Sequence, residues 1–344
     1  MRTSDRKHSF VRALSFLVSC LVPLVFGCGS DAGSQAESQL GLILLADDAR
    51  GEGPLGLDPI LDGLASADPE VQQVAGRALG RLENPELVPQ IARLLDSHHA
   101  GVRLEAVNAL GQAVFRADGD EVAVLLQAHL THETSPAVRG TIGRTLGRMR
   151  YQDAEFLRAA EESLFEMITE AEGTPSTEEL LGGAMGLEWL TRRNRGYAIQ
   201  ESTRDRLASL SGLHPSTSGM EEETGNRLRR VSLMALSASG NIPDPVMAGA
   251  LEDPDPDVRR IALAHLARNP APRGALAAAE AAIADPSPRV RTQALATFGA
   301  LASGSHRCRV ILDATQDQDP MTAVTAIDLL QNPCPNPTGQ IRVL

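Results

Sequence analysis

DPDVRRIALAHLAR at residues 255–268 and SPRVRTQALATFGAL at 287–301 are one pattern written twice. The same pattern stands at 68–82 (DPEVQQVAGRALGRL), 99–113 (HAGVRLEAVNALGQA) and 135–149 (SPAVRGTIGRTLGRM). Weaker copies follow at 225–239 and 319–332, and a degenerate one at 181–193. Aligned, their first apolar position is Val71, Val102, Val138, Gly182, Leu228, Val258, Val290 and Thr322. Four residues on stand Ala75, Ala106, Ile142, Gly186, Ser232, Ala262, Ala294 and Ala326. Eight residues on, seven of the eight positions are Leu, with Phe298 the exception. An apolar stripe at i, i+4 and i+8 is helical. Small residues in mid-stripe let neighbouring helices approach, and the Leu fills the layer between them.

A second helical segment precedes each copy, most clearly PELVPQIARLLD (85–96), DEVAVLLQAHLTH (120–132) and APRGALAAAEAAIAD (271–285). Asp-Pro or Ser-Pro joins the two, at Asp68, Ser135, Asp255, Ser287 and Asp319. Asp or Ser is expected to cap the second helix, with Pro at its first position. Gly80, Gly111, Gly147 and Gly299 read as helix-ending residues. A repeat of about 30 residues built from two helices implies a stacked array in which each unit buries its face on its neighbours.

The Asp-Pro-x-Val-Arg start with Ala-Leu-Gly at the end, repeated, resembles the HEAT family in its short bacterial form. The resemblance covers roughly residues 55–333. It implies an all-α fold, a right-handed α-solenoid of about eight helix pairs. Arg103, Arg139, Arg229, Arg259 and Arg291 occupy the family's Arg position. Their expected role is a structural ladder bonding the inter-repeat turns. The repeats at Gly182 and Leu228 start 44 and 46 residues after their predecessors, so residues 151–226 are irregular. Residues 151–175 read as one long acidic helix, and 213–226 as a loop.

The N-terminus reads as a targeting segment. Arg2, Arg6, Lys7 and Arg12 precede an uncharged apolar run at 13–27, which fits a signal peptide. Fifteen residues broken by Pro23 are short for a membrane span of about 20. Val25-Phe26-Gly27-Cys28 resembles a bacterial lipobox, with Phe26 departing from the usual small residue. The resemblance implies lipidation of Cys28, a signal peptide at 1–27 and a mature chain starting at Cys28. Gly29 as second residue implies the outer membrane, facing the periplasm. Residues 28–38 are expected to be a flexible tether, 39–335 the solenoid and 336–344 a tail.

The chain carries a formal net charge of −12. Loss of residues 1–27 removes four basic residues and one acidic residue, giving −15. An acidic balance excludes a general nucleic-acid binder. Contact with a membrane is expected through the N-terminal lipid only. Aromatic residues are only 3% of a chain that is 42% hydrophobic, which suits thin helical layers.

No catalytic residues are assigned, and neither a metal nor a cofactor is expected. Gly51, Gly53 and Gly56 spell G-x-G-x-x-G, but Pro54 interrupts it and no strand-helix context surrounds it. His98, His99, His129 and His132 gather near one rim and read as exposed polar residues. Trp189 reads as core filling. Cys308 and Cys334 flank the last helix pair, whose ends are neighbours in a hairpin. They are a disulfide closing a loop of about 25 residues, worth on the order of 3 kcal/mol, two buried thiols, or a redox pair. Arg192, Arg193 and Arg195, with Arg227 and Arg230, form basic clusters able to receive an acidic partner or phosphate.

The expected function is a non-catalytic scaffold of the bacterial cell envelope whose concave face takes a protein or peptide. Two alternatives come from resemblance to other users of this repeat. One is the repeat portion of an envelope peptidyl-prolyl isomerase of cyclophilin type, its catalytic domain absent here. The other is a HEAT-type lyase.

Overall fold

The computed structural model describes residues 30–169, 175–194, 196–213, 220–240, 242–269 and 274–331. Among them there are seventeen α-helices and no strand. The first, α1 (Ser30–Asp48), leads into eight helix pairs. These are α2 (Asp58–Leu64) with α3 (Pro69–Arg81), and α4 (Val88–Ala92, flanked by short 3-10 turns) with α5 (Ala100–Ala113). Next come α6 (Asp120–Leu130) with α7 (Pro136–Arg148), and α8 (Ala154–Ile168) with α9 (Thr177–Arg193). The last four are α10 (Glu201–Ser211) with α11 (Glu222–Ala238), α12 (Asp244–Leu251) with α13 (Pro256–Arg268), α14 (Ala275–Ala281) with α15 (Pro288–Leu301), and α16 (Gly304–Ala314) with α17 (Pro320–Leu330).

The second helices pack on one another in unbroken order from α3 to α17, while first helices touch one another only sparsely. The chain is therefore an α-solenoid with one tightly spaced layer. The apolar stripe supplies its core. Val71, Val102, Val138, Val258 and Val290 are buried, as are Leu79, Leu110, Leu146, Leu190, Leu236, Leu266 and Phe298. Leu330, at the end of the last described helix, is only partly covered.

The turns close in two ways, and the Asp255 turn uses both. Asp68 and Asp255 accept the amides of Glu70 and Asp257 at 2.8 and 2.9 Å, capping their helices. Ser135 and Ser287 make no side-chain cap. There the turn is closed from two residues upstream, where Glu133 accepts the Ser135 amide and Asp285 the Ser287 amide, both at 2.8 Å. Asp68→Ala is expected to cost about 1 kcal/mol, read as a lowered urea midpoint. Asp68 takes no arginine from a neighbouring repeat, so the loss should be the cap alone.

The four glycines read as helix ends do something else. A Cβ on Gly80 would lie 2.7 Å from Ala109 Cα, and one on Gly299 would lie 2.9 Å from Leu329 Cδ2. Gly111 meets Thr145 and Gly147 meets Gly186 in the same way. Each glycine is the point where one second helix touches the next.

Three boundaries differ from expectation. Residues 30–38 belong to α1 and are not a flexible tether. Ile43 and Ala46 are buried, and Arg81 donates to Asp47 at 2.8 Å. A helix fixed there extends upstream at little cost through Ser, Gln, Ala and Glu. In the acidic segment after residue 150 the described residues make α8, capped by Asp153 and ending where Thr169 turns extended. In the expected loop 213–226, Glu222 starts α11, with acidic residues in its first turn suiting the helix dipole. The signal segment 1–27, Cys28 and the tail at 336–344 lie outside the described residues.

Candidate functional site: the arginine ladder and the second-helix face

The ladder is built from one arginine per turn. Arg259 donates from Nε and a terminal nitrogen to both oxygens of Asp285, each at 2.8 Å. Its other terminal nitrogen donates to the carbonyl of Asp253 at 2.7 Å. Arg291 repeats this one unit on, with both oxygens of Asp317 at 2.8 and 2.7 Å and the Asp285 carbonyl at 3.1 Å. Arg229 grips Asp253 at 2.9 Å from two nitrogens and also reaches the Leu213 carbonyl. Arg103 grips Glu133 at 2.7 Å twice and the Ser97 carbonyl at 2.9 Å. Such forked pairs are strong and directional. Each arginine thus ties its own turn to the next one.

Asp253, Asp285 and Asp317 each stand two residues before the residue that starts the next second helix, and each also holds that residue's amide at 2.8 Å. These carboxylates were not singled out in the sequence. The available signal was an acid 24 to 26 residues after Arg229, Arg259 and Arg291. Loops of other lengths in the earlier repeats blur that spacing.

The ladder changes in the irregular middle. Arg139 meets Glu179 in the first turn of α9 at 2.7 Å and the Leu130 carbonyl at 2.7 Å. Gly183 then takes the arginine's place. The junction is held instead by Glu161, wholly buried on α8. It accepts the Tyr197 hydroxyl at 2.5 Å and the Gln200 amide at 2.7 Å, just before α10 begins. In the first repeat Gln72 stands in for arginine and donates to the Ser66 carbonyl at 2.9 Å.

His129 is not an exposed rim residue. It is buried, bonded to Glu133 at 3.0 Å and edge-on to the exposed His132. Burial alone raises the Glu133 carboxyl. Bonds from Arg103, the Ser135 amide and His129 outweigh it and hold the carboxyl at about 2. Arg291 likewise holds Asp317 below the usual range. A depressed carboxyl contributes stability above its unfolded pKa, near 4.5 for Glu133, and loses it as pH falls through the folded value. The thermal midpoint should therefore fall between about pH 5 and 2, and fall less steeply in Glu133→Gln. An equal slope in both proteins would remove Glu133 from the account. Asp120 and Glu188 act with the opposite sign, since burial raises both carboxyls.

The described arginines expected to form basic clusters lie on second helices. Arg192 pairs with Glu188 and stands over the half-buried Trp189 at 5.6 Å, so Trp189 is not pure core filling. Arg193 stands over Phe115 at 5.4 Å. Arg227 is exposed, with Met185 Sδ at 3.8 Å. Arg230 departs from the expected binding cluster because it is tied down, to Asp255 at 2.5 Å and Glu223 at 3.0 Å. Arg195 and Cys334 lie outside the described residues, while Cys308 is buried on α16.

Two shallow grooves run along this face. One, of about 520 Å³, lies over α3, α5 and α7 and includes Arg81, Gln112, Phe115 and Arg148. The other, of about 470 Å³, lies over α9, α11 and α13 and includes Arg192, Met234, Arg260 and Arg268. The G-x-G-x-x-G stretch is the turn from α1 to α2, with Gly51 and Gly56 at positive φ. Among the described residues no three metal-ligating side chains gather.

No curated protein matches the chain. An engineered protein of known crystal structure is 17% identical, with 89% of this chain and 96% of that one covered at a TM-score of 0.35. The X-ray structure of the YibA protein of Escherichia coli is 16% identical, with 71% and 92% covered at a TM-score of 0.45. A family model described as HEAT repeats matches residues 57–147, and the stacked helix pairs make the chain an α-solenoid.

Proposed function

We propose that this protein is a binding scaffold of the bacterial cell envelope, presenting its second-helix face to a protein or peptide partner. The observation that carries the reading is the continuous face from α3 to α13. It offers long shallow grooves with half-exposed aromatic, Met and Arg side chains. Such side chains are the ones that dominate binding energy at protein interfaces. The ladder lies in the turns and keeps the face in register.

The envelope placement rests on the sequence before α1. A lipid on Cys28 would hold the chain to the membrane at about 0.8 kcal/mol per buried CH₂. An oxidising compartment suits a bond between Cys308 and Cys334, which would close the terminal helix pair. Crosslinking in envelope fractions followed by mass spectrometry should recover one recurrent partner attached to the second helices. Recovery of none would overturn the scaffold reading. Inhibition of lipoprotein signal peptidase should accumulate the precursor, and unchanged processing would remove the anchor.

A further inference from the structure

The ladder arginines all have carboxylate partners, but a second set does not. Arg144 and Arg148 on α7 and Arg227 on α11 have no acidic group within salt-bridge distance among the described residues. Arg144 donates to the Thr141 hydroxyl at 2.7 Å, Arg148 to the Arg144 carbonyl at 3.2 Å, and Arg227 only to Met185. All three belong to the same face, in a protein with a net charge of −12. Acids are plentiful elsewhere, and those on this face pair with other arginines, Glu188 with Arg192 and Glu83 with Arg116.

Backbone packing brings these charges together. Gly140, Gly143 and Gly147 on α7 lie directly against Gly182 and Gly186 on α9. A Cβ on Gly147 would be 2.5 Å from Gly186 Cα, and one on Gly182 would be 2.7 Å from the Gly140 carbonyl carbon. With α9 drawn in so closely, α7 and α11 on its two sides approach each other. Burial depresses the Arg144 guanidinium, and repulsion from Arg148 and Arg227 depresses it further. The Arg193 guanidinium is similarly depressed by burial and by Arg150. Crowded, unpaired and partly desolvated cations form a field that an anion relieves. The two grooves continue this site on either side, and Phe115, Met185 and Trp189 add apolar surface between the charges.

We propose that the second-helix face from α5 to α13 binds an extended acidic segment of a partner protein, with its carboxylates on Arg144, Arg148 and Arg227. This rests on the scaffold reading and names the partner's chemistry. The interleaved apolar side chains favour an acidic peptide with apolar residues over a nucleic acid, which the overall negative charge repels. Five helices, with four spacings of about 8–10 Å, match about 10–12 extended residues.

The test is fluorescence anisotropy of the full chain with a labelled peptide of about 12 residues, Glu-rich with interspersed Leu. Arg144→Gln/Arg148→Gln/Arg227→Gln should weaken binding at least about tenfold. Arg93→Gln/Arg158→Gln/Arg309→Gln, on or just after first helices, should change it less than about twofold. Raised salt should weaken binding to the wild type. The face triple variant should keep or raise its thermal midpoint, because it removes repulsion and no ion pair. Equal affinity of the triple variant, or equal binding of the Lys-for-Glu peptide, would overturn the proposal. So would preferred binding of a single-stranded oligonucleotide of the same length. If the triple variant still crosslinks the partner recovered from envelope fractions, the acidic-segment inference fails while the scaffold reading stands.

Discussion

Arg229→Ala is expected to lower the unfolding free energy by about 3–5 kcal/mol, among the largest single losses in the chain. Arg229 is about 1% exposed, the largest wholly buried side chain among the described residues, and its charge is answered by Asp253, whose side chain is about 9% exposed. Removing the guanidinium leaves that carboxylate buried with only the Asp255 amide at 2.8 Å. It also orphans the Leu213 carbonyl and Asn226. Two junctions loosen at once, α10 to α11 and α11 to α13. The double variant Arg229→Met/Asp253→Leu should recover much of the loss, because removing both charges also removes their desolvation penalty. Denaturation with urea reads both. A loss under about 1 kcal/mol would show that the pair is solvated and the ladder weak.

Gly186→Ala is expected to cost about 2–3 kcal/mol for a different reason. Its new Cβ would lie 3.0 Å from the Gly143 carbonyl carbon and press on Leu164. A backbone cannot rotate aside as a side chain can, so α7 and α9 must separate, and the layers beyond them must follow. Gly249→Ala on α12 is the control. Nothing lies within 4 Å of its Cβ, so the change should be neutral or stabilising by up to about 1 kcal/mol. Melting both variants beside the wild type separates packing from helix propensity. Equal midpoints would contradict the close approach of α7 and α9.

Periodicity made the core legible. Val258, Ala262 and Leu266 repeat at helical spacing, and all three are buried. The arginine position was legible from its fixed place after the first apolar residue. Its partners were not. Asp285 is reached from Arg259 across a whole helix pair, and such a distance in sequence carries no local signature. The glycines were visible but misread, because Gly147 near a helix end looks the same whether it caps that helix or admits another. Gly186 shows that the second use holds here. The unpaired Arg144 and Arg148 were hidden for a related reason. Their distinction is what they lack, and only a fold shows which acids are out of reach.

The proposed scaffold takes its partner on the second-helix face. The most direct measurement places a photo-reactive amino acid in the full chain at one exposed position on each face. Gln112 on α5 opens onto the groove with Phe115 and Arg148, while Val124 on α6 is about 48% exposed on the first-helix side. Illumination in the envelope should yield a recurrent adduct from Gln112 and none from Val124. An adduct from Val124 alone, or from neither position, would contradict the account.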